Sequence, residues 1–268
     1  MSAILTILGC GSSGGVPRIG ADGAPLWGAC DPANPLNRRR RCSALVTRGG
    51  PGGATRVLID TSPDLRAQLL DAGVGLLDGV FYTHAHADHV HGIDDLRLVV
   101  HNSGGRLPVW ADEPTARALR ERFGYAFETP PGSDYPPICE LRALGGPVTV
   151  EGRGGPLTFR PFAVEHGSVR ALGFRIGNLA YLPDVSEIPD GAWSVLEGID
   201  CFVVDALRYR PHPTHAHLER TLGWIDRVGA RRAVITNMHV DLDHTELAGR
   251  LPPGVIPAHD GLQIPFEP

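Results

Sequence analysis

The stretch Thr83-His84-Ala85-His86-Ala87-Asp88-His89 constrains this chain more than any other, because it packs four metal-ligating side chains into six residues directly behind the apolar run Leu77 to Tyr82. That run reads as a buried strand. Alternate residues of a strand point the same way, so His84 and His86 leave its end facing one point. Once the backbone turns, Asp88 and His89 project toward a second point nearby. Neutral imidazoles suit zinc, iron and manganese, and a carboxylate among them favours an open catalytic centre over a closed structural one. Titratable groups crowded this closely are costly unless something compensates them, so a polar loop with accidental histidines is a poor explanation. The His-Glu-x-x-His reading of a metalloprotease fails on spacing, and nothing suggests a helix through the histidines.

A chain of 268 residues supports one large core, and no charge-rich or low-complexity linker divides it, so one domain over 1–268 is expected. Lys+Arg 25 against Asp+Glu 30 gives a net charge of −5, which weighs against a surface devoted to nucleic acid. The five cysteines, Cys10, Cys30, Cys42, Cys139 and Cys201, are odd in number and form no Cys-x-x-Cys pair, which points to a reducing, cytoplasmic compartment. The start reads as a first strand and not as a leader, and no apolar run is long enough to span a membrane.

Taken in order, Ala3 to Leu8 is a strand that ends in the glycine-rich Gly9 to Gly15. A formal G-x-G-x-x-G lies there, but the dinucleotide fingerprint requires a helix to open at its last glycine, and Val16-Pro17-Arg18 with Gly20, Gly23 and Pro25 forbids one. Arg38 to Arg41, four arginines in a row, form either a solvated loop or a phosphate-capturing fork. Cys42 to Thr47 and Arg56 to Asp60 read as a hairpin, and Ser62 to Ala72 as a helix with Ser62 as N-cap and Pro63 next to it. Helices are predicted over Gly92 to Asn102 and Glu113 to Phe123, with a strand at Leu107 to Trp110 between them. Glu128 to Pro137 is a loop, either a lid or a surface excursion.

A pair of close metals needs more than four donors. His166, Asp184 and His239 each follow a strand-like run, and the C-terminal ends of strands gather at one edge of a sheet.

These residues resemble the metallo-β-lactamase superfamily over nearly the whole chain: Asp60 after a strand, His84-x-His86-x-Asp88-His89, His166, Asp184 and a final histidine. The resemblance implies an α/β fold, a four-layer αβ/βα sandwich of two mixed β-sheets flanked by helices. It also implies two divalent metal ions, zinc or manganese, with iron and nickel accepted by the same donors. His84, His86 and His166 would hold one ion. Asp88, His89 and the last histidine would hold the other, with Asp184 bridging and Asp60 orienting a ligand from behind. The last core strand runs into Thr236-Asn237-Met238-His239-Val240 where relatives often carry Thr-His-x-Ser-His, so His239 on a shifted loop, or Asn237, completes the second site. Relatives with a structural zinc have a tight cysteine cluster near the start and a histidine at the place of Val240; only Cys30 stands here, so no third zinc is expected.

Within the superfamily the chain looks most like the phosphodiesterase branch that includes the phosphoribosyl cyclic phosphate phosphodiesterases and, more distantly, the tRNA 3′-processing ribonucleases. Leu8-Gly9-Cys10-Gly11, Arg40-Arg41-Cys42-Ser43, Asp60 to Arg66, Asp205 to Tyr209, Pro213 to His217 and Asp260-Gly261 carry that likeness. Two cations about 3.5 to 4 Å apart can lower the pKa of a shared water and neutralise phosphoryl charge. The catalytic expectation falls on Asp88 beside the metals and on His215 or His217 as the acid that protonates the leaving oxygen, with His215 better spaced to Leu218 and Asp205 steering it. Arg41, Arg208 and Tyr209 are expected to contact the substrate phosphate. The expected partner is a small-molecule phosphodiester, with no membrane; a nucleic acid ranks behind it, and a homodimer is left open. A tRNA-processing endoribonuclease and a thioesterase or lactonase are the competing functions.

Overall fold

Strands that are apolar on both faces have to lie between two layers. In Val57-Leu58-Ile59, Val57 and Ile59 join one buried cluster with Phe81, Phe159 and Phe174, while Leu58 joins a second with Val80, Leu96 and Leu119. The computed structural model describes residues 2–268 and resolves this pattern into two mixed sheets of seven strands each. The first runs in space Gln263–Phe266, Ala3–Gly9, Ser43–Gly50, Gly53–Ile59, Gly79–Phe81, Leu107–Ala111, Cys139–Ala143. The second runs Val255–Pro257, Arg232–Thr236, Cys201–Asp205, Leu179–Leu182, Val169–Ile176, Leu157–His166, Val148–Val150. Each sheet is antiparallel in one part and parallel in the other.

The sheets meet face to face over aromatic side chains. Phe81 stacks between Trp110 and Phe159, with ring centroids 4.9 Å and 4.4 Å away. Helices Leu65–Asp71, Leu96–Ser103 and Glu113–Phe123 cover the outer face of the first sheet through Leu65, Leu69, Leu96, Val99 and Leu119. Leu218–Val228 packs on the second through Leu218, Trp224 and Ile225. The result is the expected four-layer αβ/βα sandwich. Among the described residues no helix is long and apolar enough to cross a membrane.

Local boundaries differ from the sequence expectation in instructive ways. Glu113–Phe123 is helical as expected, with Asp112 accepting from the Thr115 N–H at 3.1 Å. The helix expected from Ser62 begins at Leu65, and Ser62 is not its cap. The Ser62 hydroxyl is buried, donates to Gln68 Oε1 at 2.9 Å and accepts from the Asp64 N–H at 3.1 Å, so it shapes the turn that leads in. A 3-10 turn at Ile93–Asp95 precedes Leu96–Ser103.

Parallel strands in both sheets end at one edge of the sandwich. Asp60, Thr83 and His84 leave the first sheet there; Asp184, Asp205 and Asn237 leave the second.

Candidate metal centre

Asp60 follows Ile59 at φ 63 and Asn237 follows Thr236 at φ 60, the only two non-glycine residues in the left-handed region among the described residues. Aspartate and asparagine tolerate that conformation better than other side chains do. Asp60 is fully buried and accepts from the Thr83 N–H and the Thr83 hydroxyl, both at 2.8 Å, and from His89 Nδ1–H at 2.8 Å. With Nδ1 committed, His89 turns Nε2 inward, 3.1 Å from Asp184 Oδ1 and 3.6 Å from Asp88 Oδ2. The Thr83 hydroxyl in turn accepts from His84 Nδ1–H at 3.0 Å, which leaves His84 Nε2 as a lone pair. His166 Nδ1–H donates to the Thr214 carbonyl at 2.6 Å, and its Nε2 comes within 3.1 Å of His86 Nδ1. Each of these three histidines is therefore fixed in one tautomer by a partner behind it, and each presents its other nitrogen to a common point.

Asp184 stands between the groups. Its Oδ2 lies 3.5 Å from His166 Nε2 and 4.0 Å from His84 Nε2, while Oδ1 faces His89. Donor atoms of His84, His86 and His166 lie within 4.8 Å of one another, as do those of His84, His89 and Asp184, and those of His166, Asp184 and His215. Burial lowers the His84, His86 and His166 imidazoles from their ordinary pKa, which keeps them neutral and able to ligate. Burial alone would raise the Asp184 carboxyl, but His89, His84 and His215 hold it well below the usual carboxylate range.

A divalent cation fits this donor set. His84 Nε2, His89 Nε2 and Asp184 Oδ1 are buried and have no hydrogen-bond partner, a costly arrangement for three polar atoms unless an ion satisfies them together.

His215 sits beside the cluster, its ring centroid 4.5 Å from that of His166, and its Nδ1–H donates to Asp205 Oδ2 at 2.9 Å. Burial disfavours the His215 cation, yet the Asp205 carboxylate, helped by Asp184 and Asp88, raises it to about 9. Burial pushes Asp205 up to about 7 against the pull of His215. His217 is separate: it occupies the N-cap position of Leu218–Val228 and bridges to Arg208. Of the two histidines considered for the acid, the fold brings His215 to the donor cluster and leaves His217 out of it.

The late histidine is also separate. Asn237, 1 % exposed, brings Nδ2 to 3.2 Å from His215 Nδ1, and its Oδ1 lies 3.8 Å from the Cys42 thiol. His239 points its Nδ1 at Asp241 Oδ2, 3.2 Å away, and belongs to none of the donor clusters. The reason is local: Met238 is fully buried and its N–H donates to the Cys10 carbonyl at 2.8 Å, which carries the chain past the edge before residue 239.

The arginine run is engaged elsewhere. Arg38 lies over the Trp27 ring at 5.1 Å, Arg39 is buried and donates to the Leu242 carbonyl at 2.6 Å, Arg40 pairs with Asp71, and Arg41 Nε pairs with Asp64 at 2.8 Å. Arg208 donates to the Arg210 and Pro211 carbonyls, and the Tyr209 ring lies under Arg250 at 4.9 Å. Cys30 packs with Val16, Trp27 and Val240, and its thiol donates to the Val240 carbonyl at 3.4 Å. The Thr83 and Thr214 groups that orient ligands carry no sequence signal beyond their closeness to histidines.

The family model for the beta-lactamase superfamily domain matches residues 55–240. A diphosphatase from the PhnP family is 39 % identical, with 99 % of this chain and 98 % of that one covered and a TM-score of 0.86. Octanoyltransferase of Porphyromonas gingivalis is 33 % identical over 262 residues, 96 % of this chain and 50 % of that protein. Ribonuclease Z of Gemmatimonas aurantiaca is 33 % identical over 148 residues, 54 % of this chain and 44 % of that protein. The chain spans about half the length of the curated relatives it matches.

Proposed function

This chain belongs to the β-lactamase superfamily, and from that premise we propose that it is a binuclear metal-dependent phosphodiesterase acting, as one hydrolase domain over 1–268, on a small phosphodiester such as a cyclic ribose phosphate. The observation that carries the reading is the set of buried, unpartnered donors on His84, His89 and Asp184 with a protonatable histidine alongside. The phosphoryl preference is supported by the diphosphatase at 39 % identity. Five buried, unpaired cysteines fit a reducing, cytoplasmic setting.

His84, His86 and His166 would hold one cation and Asp88 and His89 the other, with Asp184 shared. Imidazole and carboxylate together accept zinc or manganese, and iron or nickel as well. Bound there, the cations supply Lewis acidity that activates water and neutralises charge on the phosphoryl oxygens. The chain's own residues do the rest. Asp60 and the Thr214 carbonyl fix the His89 and His166 tautomers, so these rings need no reorganisation. His215 keeps Nδ1–H on Asp205 and offers Nε2–H to the leaving oxygen, and Asp205 stabilises the imidazolium until that proton departs.

A ribonuclease of the tRNA-processing kind is the second reading, and the ribonuclease Z similarity favours it. It needs a basic reach for RNA, and the Glu128 to Pro137 loop has no basic residue.

The test is turnover of phosphoribosyl 1,2-cyclic phosphate and of a chromogenic phosphodiester by metal-loaded protein, with Asp184→Ala as blank. Hydrolysis of the cyclic phosphate that vanishes in the blank is expected. His215→Ala should cost roughly a hundred- to ten-thousand-fold on that poor leaving group and far less on the nitrophenolate. Turnover of neither ester, with hydrolysis of a thioester or lactone instead, would overturn the reading.

A further inference from the structure

Arg39 is a cation 2 % exposed, and every partner that its donors find is neutral. Its Nη2–H groups donate to the Leu242 carbonyl at 2.6 Å and to Asn37 Oδ1 at 3.2 Å. Its Nη1 donates to the His239 carbonyl at 3.3 Å and lies 3.9 Å from the Cys30 sulfur. Taking a permanent charge out of water is costly, and a planar fork recovers that cost only where its acceptors stand in fixed places. Two of those acceptors belong to one loop. The chain leaves the strand Arg232–Thr236 at Asn237 and enters the helix His244–Arg250 after Asp243. Along the way the Cys10 carbonyl holds the Met238 N–H at 2.8 Å, the Leu207 carbonyl holds the His239 N–H at 2.9 Å, and Arg39 holds the His239 and Leu242 carbonyls. Asn37, fully buried, closes the far end: its Nδ2–H donates to Asp243 Oδ2 at 2.6 Å and its Oδ1 accepts from the His244 N–H at 2.8 Å. Arg39 is itself tied to the first loop by two backbone bonds with Val16, each 2.9 Å.

This loop begins at Asn237, which turns at φ 60. Backbone in that region persists only where its surroundings over-determine it, so the direction of the Asn237 side chain depends on where the following residues are held. Its Nδ2 lies 3.2 Å from Nδ1 of His215, the acid of the proposed reaction. We propose that Arg39 is a positioning residue for that acid: its buried fork fixes the loop Met238 to Leu242, and the loop keeps Asn237 against His215. The inference rests on the phosphodiesterase reading and deepens it, because one cation of the arginine run then serves the reaction without contact with the diester or the ions.

The experiment measures kcat on phosphoribosyl 1,2-cyclic phosphate and on a nitrophenyl phosphodiester, in excess manganese, for the full chain and for Arg39→Met, Arg39→Lys, Asn237→Ala and the double variant Arg39→Met/Asn237→Ala. The acid matters to the cyclic phosphate and far less to the nitrophenolate, so the ratio of the two kcat values reads the placement of His215 apart from general damage. That ratio should fall roughly ten- to a hundredfold in Arg39→Met, as a misplaced catalytic group costs, and by less in Arg39→Lys, which keeps the charge but not the fork. Adding Arg39→Met to Asn237→Ala should lower the ratio no further, because the two changes act through one contact. Arg39→Lys keeps the test decisive should Arg39→Met fold poorly. An unchanged ratio in both Arg39 variants, or losses that multiply in the double variant, would overturn the positioning role while leaving the phosphodiesterase standing. Hydrolysis of neither ester by the parent chain would overturn that reading and the positioning role with it.

Discussion

At the scale of single residues, the left-handed Asp60 and Asn237 do the most. Each ends a strand, each is buried, and each turns its side chain onto a histidine, His89 in one case and His215 in the other. Strain of this kind is kept where the surroundings over-determine it, and here they do so around the donor cluster. If Asn237 lies beside the second ion and His239 does not, Asn237→Ala should drop bound manganese from two toward one per chain, and His239→Ala should leave it at two. Elemental analysis after dialysis checks this, and the opposite pattern would restore His239 as the ligand. The Asn237 geometry was not legible in the sequence, because proximity of His239 to a strand end looks the same whether or not the next residues turn; the buried Met238 and its bond to Cys10 decide it.

Asp260 carries a different prediction. It is partly buried, its oxygens accept from the Cys10 and Arg40 N–H groups, and burial raises it to about 6. An unfolded aspartate ionises near 3.9, so between about pH 4 and pH 6 the folded protein holds a proton that the unfolded chain has released. Folding stability contributed by this group is therefore greatest below about pH 4 and is lost as pH rises through 6, by an amount on the order of 2 kcal/mol less whatever solvent screening removes. Urea unfolding of Asp260→Asn and the parent should show the variant gaining in relative stability across that window. A flat difference from pH 4 to pH 7 would contradict it.

At the scale of elements, the histidine motif was readable because strand periodicity and a following turn are enough to aim its ligands. What holds that turn in place was not. The short helix Ala87–Val90 is stapled to the segment after Asp60: the Thr61 N–H donates to the His89 carbonyl at 2.8 Å and the Gly92 N–H to the Thr61 carbonyl at 2.9 Å. A Cβ on Gly92 would stand 2.0 Å from the Ser62 carbonyl oxygen, so the two backbones approach as only glycine allows. Gly92→Ala should cost about 2–4 kcal/mol and loosen metal binding, read as a lower urea midpoint and a weaker manganese isotherm. An unchanged midpoint would mean that the staple is slack. The arginine run shows the opposite limit of reading a sequence. Four adjacent charges suggest one shared role, but Arg38 stacks on Trp27, Arg39 is buried on the Leu242 carbonyl, and Arg40 and Arg41 pair with Asp71 and Asp64. Partners distant in sequence assign each one separately.

At the scale of the whole molecule, the centre is shared between the two sheets. His84, His86, Asp88 and His89 come from the first; His166, Asp184, Asp205 and Asn237 come from the second, and the aromatic layer around Phe81 holds the two in register. The four-layer fold was legible only through the resemblance, with the two-faced burial of strands such as Val57-Leu58-Ile59 emerging in the structure, and the gathering of strand ends at one edge turned scattered histidines into a site. The central claim is that catalysis depends on cations held across that junction. The most direct measurement follows turnover of a phosphodiester as manganese is returned to chelator-stripped protein, with bound metal counted in the same samples. Turnover should rise with occupancy and level off at two ions per chain, and should stay at background in His84→Ala and Asp184→Ala. Full turnover by protein that binds no metal, or unimpaired turnover in either variant, would contradict it.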